Sequence, residues 1–473
     1  MKYPKNLEYV KAIQDAGANL NKLAYLSPVM DDHGEPYHMS GDSSNSSSVK
    51  YLEKELLVHS QGKEVKYPVL LMDWVDEEAM GAFLAADEEL STVATDEELN
   101  EAITDEFGVK YSKDGRKLLE VPQKLKGTYS IKEGTKIVCD RAFSGCRSLI
   151  CLVISDSVTS IGTWAFAYCE SLKSLVIPAS VTSIGGGAFC GCRSLSSLVI
   201  PDRVTSIGDS TFSYCESLRS LVIPNSVGNI IGNPFSGWDG ELKCLSPYFI
   251  YDNKVLFDKD KNAIISFRDK DTTSYIFPDY VTSIGDSAFE DCSSLNDIII
   301  TDSVTSIGNS AFENCSSLSS LVLPDSVTSI GDRAFNECDS LRSIVIPDGV
   351  TSIGDNAFQF CSSLNDIIIP DSVTSIGNYA FGECSSLRSL VIPDSVTSIG
   401  DWAFYYCSSL SSVVIPDGVT SIGVGAFIGC KSLKSLEIPD SVTSIGLGAF
   451  SYCYFPYKLK QELISRFGEK IFG

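Results

Sequence analysis

The sequence has no long apolar run, no cluster of basic residues and very little histidine, and each absence excludes a class of protein. No stretch approaches the roughly 18 to 20 apolar residues of a membrane-spanning helix, so membrane insertion is not expected. The net charge of −24 argues against nucleic acid, because phosphate binding needs clustered Lys and Arg. The N-terminus lacks the unbroken apolar segment of a secretory signal, which predicts a cytoplasmic protein.

Histidine occurs three times, always before residue 107, at His33, His38 and His59. The rest of the chain therefore has no Ser–His or Cys–His pair for nucleophilic catalysis. A metal site would have to use His33 and His38 with the nearby acids Asp31, Asp32 and Glu35, and a polar turn is the simpler interpretation. We expect no enzyme activity, no cofactor and no metal.

The remainder is dominated by one phrase, VTSIG, which occurs eleven times. Its valine recurs every 23 residues in two runs, from Val158 to Val204 and from Val281 to Val442. A decayed copy at Val227 and an earlier unit ending at Phe143 bring the number of units to thirteen. A fixed period of this length is the signature of a repeat protein.

One unit, CSSLRSLVIPDSVTSIGDWAFYY from Cys384 to Tyr406, accounts for the repetition. The alternating SLRSLVI favours a short strand with Leu390 pointing inward, Pro393 ends that strand, and Asp394 begins a turn. Gly400 is expected to adopt a positive φ at the next bend. Because 23 residues cannot bury their own apolar side, the units must stack as a solenoid, with strands about 4.8 Å apart.

The pattern L-x-x-L-x-I-P, then V-T-S-I-G and A-F-x-x-C, closely resembles the BspA-like leucine-rich repeat family over residues 107–453. The resemblance implies a solenoid of leucine-rich repeats with a parallel β-sheet on its concave face. It also implies adhesion or protein binding, often on bacterial cell surfaces, so a surface or secreted location is the alternative to the cytoplasm. No catalytic residues come with that family.

The chain divides into five predicted segments. These are an acidic, small α+β N-terminal region (1–106), a first repeat sub-array with a leading hairpin (107–232), a degenerate repeat with a hairpin insertion (233–280), a second sub-array (281–453) and a C-terminal capping helix (454–473). The hairpins are interpreted as caps or joints, with a binding element as the alternative.

Within the N-terminal region, KYLEKELLVHSQGKEVKYPVLLMDWV predicts two strands joined by a turn at Gln61 and Gly62. Residues 1–86 weakly resemble a degenerate protein-kinase N-lobe with its hinge. The Gly-rich loop, the V-A-I-K lysine, the H-R-D loop and D-F-G are all missing, so phosphoryl transfer has no machinery. A kinase-like regulatory protein that uses the repeats for interaction, or a purely structural spacer, are the alternatives to a binding scaffold.

Two further columns recur with the repeat. Twelve of the sixteen cysteines share one position, from Cys146 to Cys453, which favours buried reduced thiols over zinc ligands or disulfides. Free thiols in that number suit a reducing compartment. The turn aspartates, from Asp302 to Asp440, are expected to form Asx-turn hydrogen bonds that offset their repulsion, with Ca²⁺ bridging as the less favoured alternative.

The outward positions of the strands are the candidate binding residues. They form a Ser/Asp column and a Val/Ile column on the predicted concave face. A β-branched stripe this long exceeds the usual scatter of exposed apolar residues and predicts a protein-binding surface, although strand propensity and ladder stacking would also explain it. The predicted residues are Ser174, Val176, Ser197, Val199, Ser220, Val222, Asp297, Ile299, Ser320, Val322, Ser343, Val345, Asp366, Ile368, Ser389, Val391, Ser412 and Val414.

Overall fold

The computed structural model describes residues 54–60, 63–69, 91–260 and 262–473. The chain forms two units, Met1–Ser91 and Thr92–Gly473. In the first unit, β1 (Lys54–Ser60) and β2 (Lys63–Val69) are paired antiparallel, as the sequence predicts. The turn between them, the kinase-like hinge and the candidate metal ligands around His33 and His38 lie outside the described residues.

The second unit begins with a small cap. Helix α1 (Asp96–Asn100) starts with a capping box between Thr95 and Glu98, and Glu98 also pairs with Lys117 at 2.7 Å. Three strands then pair antiparallel ahead of the first coil, namely β3 (Ile103–Thr104), β4 (Lys110–Tyr111) and β5 (Lys117–Glu120).

Nearly every coil of the solenoid contributes two short strands. The first strand of a coil is formed by the alternating apolar segment before the proline. These first strands are β6 (Gly127–Ser130), β8 (Leu149–Val153), β10 (Ser174–Val176), β13 (Ser220–Ile223), β15 (Glu241–Cys244), β19 (Ser274–Ile276), β21 (Asp297–Ile299), β23 (Ser320–Val322), β25 (Ser343–Val345), β27 (Asp366–Ile368), β29 (Ser389–Val391), β31 (Ser412–Val414) and β33 (Ser435–Glu437).

The second strand of a coil is the SI pair of VTSIG or its equivalent. These second strands are β7 (Ile137–Val138), β9 (Ser160–Ile161), β11 (Ser183–Ile184), β12 (Ser206–Ile207), β14 (Asn229–Ile230), β20 (Ser283–Ile284), β22 (Ser306–Ile307), β24 (Ser329–Ile330), β26 (Ser352–Ile353), β28 (Ser375–Ile376), β30 (Ser398–Ile399), β32 (Ser421–Ile422) and β34 (Ser444–Ile445).

Paired strands of successive repeats run parallel and in register with a 23-residue offset. Leu390 lies opposite Val413, for example, and Ile399 lies opposite Ile422. The predicted parallel solenoid is therefore confirmed. One expected strand does not form: Ser197–Val199 keeps the exposed–buried–exposed alternation but is not assigned to a strand.

A stack of phenylalanine rings runs through the core. Successive rings of the predicted column are 5.0–6.0 Å apart, for example Phe381 and Phe404 at 5.5 Å. Phe267, which the sequence pattern does not mark, joins the stack 4.8 Å from Phe289. The column therefore continues through the irregular coil at 263–277.

The stack is interrupted once, at a joint between the two sub-arrays. The hairpin strands β16 (Phe249–Asp252), β17 (Val255–Asp258) and β18 (Ala263–Phe267) lead to Arg268, which is buried. Its guanidinium lies 4.1 Å from the centre of the Trp238 ring and donates to the carbonyls of Trp238 and Gly240 at 3.1 and 2.7 Å. A buried cation thus occupies the joint between the two aromatic stacks.

The role expected for Gly400 is wrong. Its φ is not positive; the left-handed residues of that coil are Trp402 and Tyr406, both at φ 53°. Gly400 is needed for close approach, because an added Cβ would lie 2.6 Å from the carbonyl carbon of Gly377 in the preceding coil. The other VTSIG glycines also pass close to the neighbouring coil.

Aromatic residues lie over glycines of the next coil. A Cβ at Gly425 would meet the Trp402 ring at 2.6 Å, and one at Gly429 would meet the Tyr406 ring at 2.9 Å. The same arrangement pairs Trp164 with Gly187, Tyr168 with Gly191 and Tyr214 with Gly237.

The last coil is covered by helix α2 (Tyr457–Phe467) and the 3₁₀ turn η1 (Glu469–Phe472). Leu463 and Ile471 are buried against the core, and Arg466 donates to the carbonyls of Ile438 and Pro439 at 2.7 and 3.1 Å. A polar outer surface over a buried apolar one is the arrangement that a terminal solenoid cap requires.

Candidate binding face

The first strands bury one face and expose the other, because successive side chains of a strand point to opposite sides. In β29, Leu390 is buried while Ser389 and Val391 are exposed. All eighteen predicted binding residues lie on exposed positions of this kind. We call the apolar column among them the stripe: Val176, Val199, Val222, Ile299, Val322, Val345, Ile368, Val391 and Val414.

The stripe is strongly exposed, with values between 41% at Val222 and 79% at Val322 and Val391. Two further members were missed by the sequence analysis, Val153 at 52% and Ile276 at 66%. Both occupy the same strand position. The coil of Val153 differs from the regular pattern at Cys151 and Ser155, and the coil of Ile276 has Asp269 and Thr272 in place of the repeat Cys and Leu. Lys243 replaces the apolar residue opposite Val222, so the stripe is divided at the joint.

The two flanks of the stripe differ in charge. Three residues before the stripe position lie Lys173, Arg219, Arg342, Arg388 and Lys434, separated by coils that carry Ser, Asn or Thr there. Three residues after it, every coil of the second sub-array carries an exposed aspartate. We call the six that follow a Val or Ile of the stripe the aspartate row: Asp302, Asp325, Asp348, Asp371, Asp394 and Asp417.

The expected Asx-turn bonds do not form in the aspartate row. In the described part of the chain, these six carboxylates have no side-chain hydrogen bond or ion pair, and only the next one, Asp440, contacts Arg466 at 3.4 Å. The backbone closes the turn instead, since Val396 N–H donates to the Pro393 carbonyl at 3.1 Å. The neighbouring Ser395 Oγ donates to the Val373 carbonyl of the preceding coil at 2.6 Å. Neighbouring aspartates at about 5 Å repel by roughly 0.8 kcal/mol in water.

A different column of Asp and Asn residues links successive coils by side-chain hydrogen bonds. The residue after the VTSIG glycine accepts a hydrogen bond from the backbone N–H of the equivalent residue one coil later. Asp401 Oδ1 accepts from Val424 N–H at 2.7 Å, and Asn378 Oδ1 accepts from Asp401 N–H at 2.8 Å. The sequence signal for it is the recurrence of Asp or Asn at this position.

The cysteine column faces the core. Cys407 Sγ donates to the Phe381 carbonyl at 3.1 Å, and burial raises its pKa well above the usual value. Cys292 at the joint differs: burial disfavours its thiolate, yet the hydrogen bond from Cys315 and the ammonium of Lys270, 3.4 Å away, lower its pKa. All sixteen cysteines are free thiols, and thirteen of them are buried.

Acidic side chains also meet at the joint. Burial raises the pKa of Glu290 and that of Asp209, and Tyr214 Oη donates to Asp291 at 2.8 Å. Within residues 54–60, 63–69, 91–260 and 262–473, no three His, Cys, Asp or Glu side chains are arranged to hold a metal ion. No helix in these ranges is long and apolar enough to span a membrane.

Two shallow grooves lie elsewhere, over the SIG corner of each sub-array. The larger, about 430 Å³, is lined by residues such as Ser306, Gly308 and Asn309. The glycines leave these grooves open because they carry no side chain. Neither groove includes a predicted binding residue.

The repeats match a known protein family. A model of the BspA type leucine rich repeat region matches in overlapping copies over residues 126–240, 264–387 and 328–456. These matches cover more than half of the chain. No curated protein matches it.

Three solved structures of leucine-rich repeat proteins are similar to this chain. A leucine-rich repeat protein from Eubacterium ventriosum is 27% identical, with a TM-score of 0.51 over 69% of this chain and 82% of that one. A leucine-rich repeat protein from T. pallidum is 33% identical over 46% of this chain and 92% of its own, at a TM-score of 0.37. A leucine rich cell surface protein from Faecalibacterium prausnitzii is 21% identical over 78% and 96%, at a TM-score of 0.39.

Proposed function

The chain belongs to the BspA type leucine-rich repeat family, and on that premise we propose that it is a non-catalytic scaffold that binds a protein partner, as in adhesion, on the exposed face of its first strands. The stripe is the observation that supports this. At roughly 100 Å² for each Val or Ile, the seven contiguous members from Ile276 to Val414 present on the order of 700 Å², more than the 300–600 Å² of a usual largest patch.

Strand propensity alone does not require an apolar stripe. A column of threonines, such as Thr374 and Thr397, precedes the second strands. These side chains are β-branched and exposed, and Thr397 Oγ1 donates to the Thr374 carbonyl at 3.2 Å. Threonine therefore meets the steric preference of a strand at an exposed position of this chain. Valine and isoleucine in the stripe add apolar surface beyond that preference, which favours a binding role over a spacer.

The cysteines leave the location open between the cytoplasm and the cell surface. The sequence argument for a reducing compartment rested on the number of free thiols. Thirteen of the sixteen are buried, and most of these donate to a backbone carbonyl, as Cys407 does. Buried thiols with raised pKa values react slowly with oxidants. We therefore propose display on a cell surface as compatible with this thiol content.

The test compares two triple variants on the same three coils. V345K/I368K/V391K places charges in the stripe, and T351K/T374K/T397K places the same charges on the exposed threonine column. Each full-length chain is immobilised and offered host and bacterial surface extracts. We expect proteins captured by the wild type to be lost from the stripe variant and retained by the threonine variant, with both variants showing native circular dichroism. Equal capture by the stripe variant and the wild type would refute the proposal.

A further inference from the structure

The charges beside the stripe restrict what can dock there. Taking coil 384–406 as the example, Arg388 lies three residues before Val391 and Asp394 three residues after it, about 10 Å to either side along an extended chain. The aspartate row is continuous over six coils, whereas the basic flank is interrupted by neutral residues. A partner therefore meets an apolar stripe with an unbroken anionic border on one side only.

A second copy of the chain fits this border poorly. Turned face to face, it would offer Arg342 and Arg388 to the row, leaving the remaining aspartates without partners. Each copy also carries a net charge of −24, which opposes close approach. A complementary partner must instead supply a continuous line of cations beside an apolar ridge.

The spacing of the coils matches an α-helix. Coils repeat at about 4.8 Å, and the turns of a helix repeat at 5.4 Å, so one apolar and one basic side chain per turn stay nearly in step with the stripe and the row. An extended strand lying along the same axis would repeat about every 6.6 Å and fall out of step sooner. From Ile276 to Val414 the stripe spans six coil steps, about 29 Å, the length of roughly 20 helical residues.

We propose that the partner contributes an amphipathic helix whose apolar side lies along the stripe and whose Lys or Arg side chains line one flank, facing the aspartate row. This inference rests on the proposed function and names the chemistry of its partner. Burial of the apolar side of the helix against the stripe supplies the hydrophobic contact, and the row sets the orientation of the helix, since only one flank is continuously anionic.

The experiment uses three synthetic 22-residue helices with the same leucine stripe and a neutral second flank. Their first flank carries Lys, Gln or Glu. Binding of each to the full-length chain is measured by fluorescence anisotropy at two salt concentrations. D348N/D371N/D394N removes charge from the row, and E337Q/E462Q/E469Q removes the same charge from exposed sites elsewhere.

We expect the Lys peptide to bind at least tenfold more tightly than the Glu peptide. The row variant should weaken the Lys peptide about tenfold and reduce its salt dependence, and the control variant should change its affinity less than twofold. V345K/I368K/V391K should abolish binding of all three peptides.

Several results would overturn the inference: equal affinity for the Lys and Glu peptides, equal effects of the row and control variants, no binding of any peptide, or a dimer that the stripe variant dissociates. If stripe-dependent capture from extracts persists in any of these cases, the proposed function survives and only the helix chemistry is wrong. If the stripe variant captures as the wild type does, the proposed function fails as well.

Discussion

Replacing Gly400 by alanine should destabilise the solenoid, although its φ is one that alanine can adopt. The new Cβ would lie 2.6 Å from Gly377 C and 2.7 Å from Asn378 N, whereas ordinary contacts begin near 3.4 Å. The coils must separate locally by about 0.8 Å. The bond from Gly400 N to Ile376 O, now 2.9 Å, would then stretch beyond hydrogen-bonding range.

The magnitude follows from three contributions. Overpacking costs about 1–3 kcal/mol and the lost hydrogen bond about 1 kcal/mol, while the stiffer unfolded chain returns about 0.4–1 kcal/mol. We expect a net loss of about 2–3 kcal/mol in the free energy of unfolding. The assay is urea unfolding of the full-length chain, followed by circular dichroism and tryptophan fluorescence.

Two matched variants separate close approach from backbone conformation. Gly382, one coil earlier, has no atom closer than 3.4 Å to its hypothetical Cβ and no positive φ, so Gly382→Ala should be neutral or slightly stabilising. Gly400→Asn should be at least as harmful as Gly400→Ala, because asparagine tolerates a positive φ but not the contact. If G400N were tolerated while G400A was not, or if G400A had no effect, close approach would be the wrong explanation.

Three other predictions concern buried groups. Alkylation at pH 8 should modify the partly exposed Cys151 first and leave Cys407 unmodified until urea unfolds the chain. Mass spectrometry of the digested protein measures the order of modification. Early modification of Cys407 would contradict its burial. Burial raises the pKa of Glu290, so the protonated carboxyl favours the folded state, and this stability is lost as the pH rises through the folded pKa. Glu290→Gln should therefore raise the urea midpoint of unfolding at pH 7 and give no such increase near pH 4. An increase that does not depend on pH would refute the raised pKa. Arg268→Ala should lower the free energy of unfolding by about 3 kcal/mol, because two carbonyls lose their hydrogen-bond donor and the Trp238 ring loses its cation. Urea unfolding should then show two transitions, one for each sub-array. A single unshifted transition would mean that the joint does not couple the sub-arrays.

The regular coils were predictable because a strict period leaves few choices. Once 23 residues repeat, the inward position of Leu390 and the stacking of Phe404 follow from burial alone. The exposed positions of the stripe follow from the same alternation. The sequence pattern thus specifies which side chains face outward, whereas the chemistry of a partner has to be inferred from how the stripe and the aspartate row lie side by side.

The errors arose where contacts run between coils. Gly400 suggested a backbone conformation, but the constraint comes from Gly377, 23 residues earlier. The turn aspartates suggested local Asx-turn hydrogen bonds, but the side-chain bond at the turn comes from the adjacent serine and runs to the preceding coil, as from Ser395 to Val373. Local propensity rules describe neighbours in sequence, and these interactions lie between neighbours in space.

The joint was the least predictable region. Phe267 and Arg268 have no counterpart in the repeat letters, so their places in the stack could not be assigned by alignment. The position of the Arg268 guanidinium depends on contacts with Trp238 and Gly240, which the 23-residue period does not predict.

The aromatic rings that lie over glycines have a consequence for how the chain finds its fold. Nearly identical coils create a translational degeneracy, since any unit could dock on any other with much the same local energy. In the observed arrangement, a Cβ at Gly425 would lie 2.6 Å from the Trp402 ring and one at Gly429 would lie 2.9 Å from the Tyr406 ring, so both rings occupy space that the glycines leave open. The Tyr406–Gly429 pair distinguishes its coil from others in an otherwise uniform array, because skipping one coil would set Tyr406 against Tyr452 in place of Gly429.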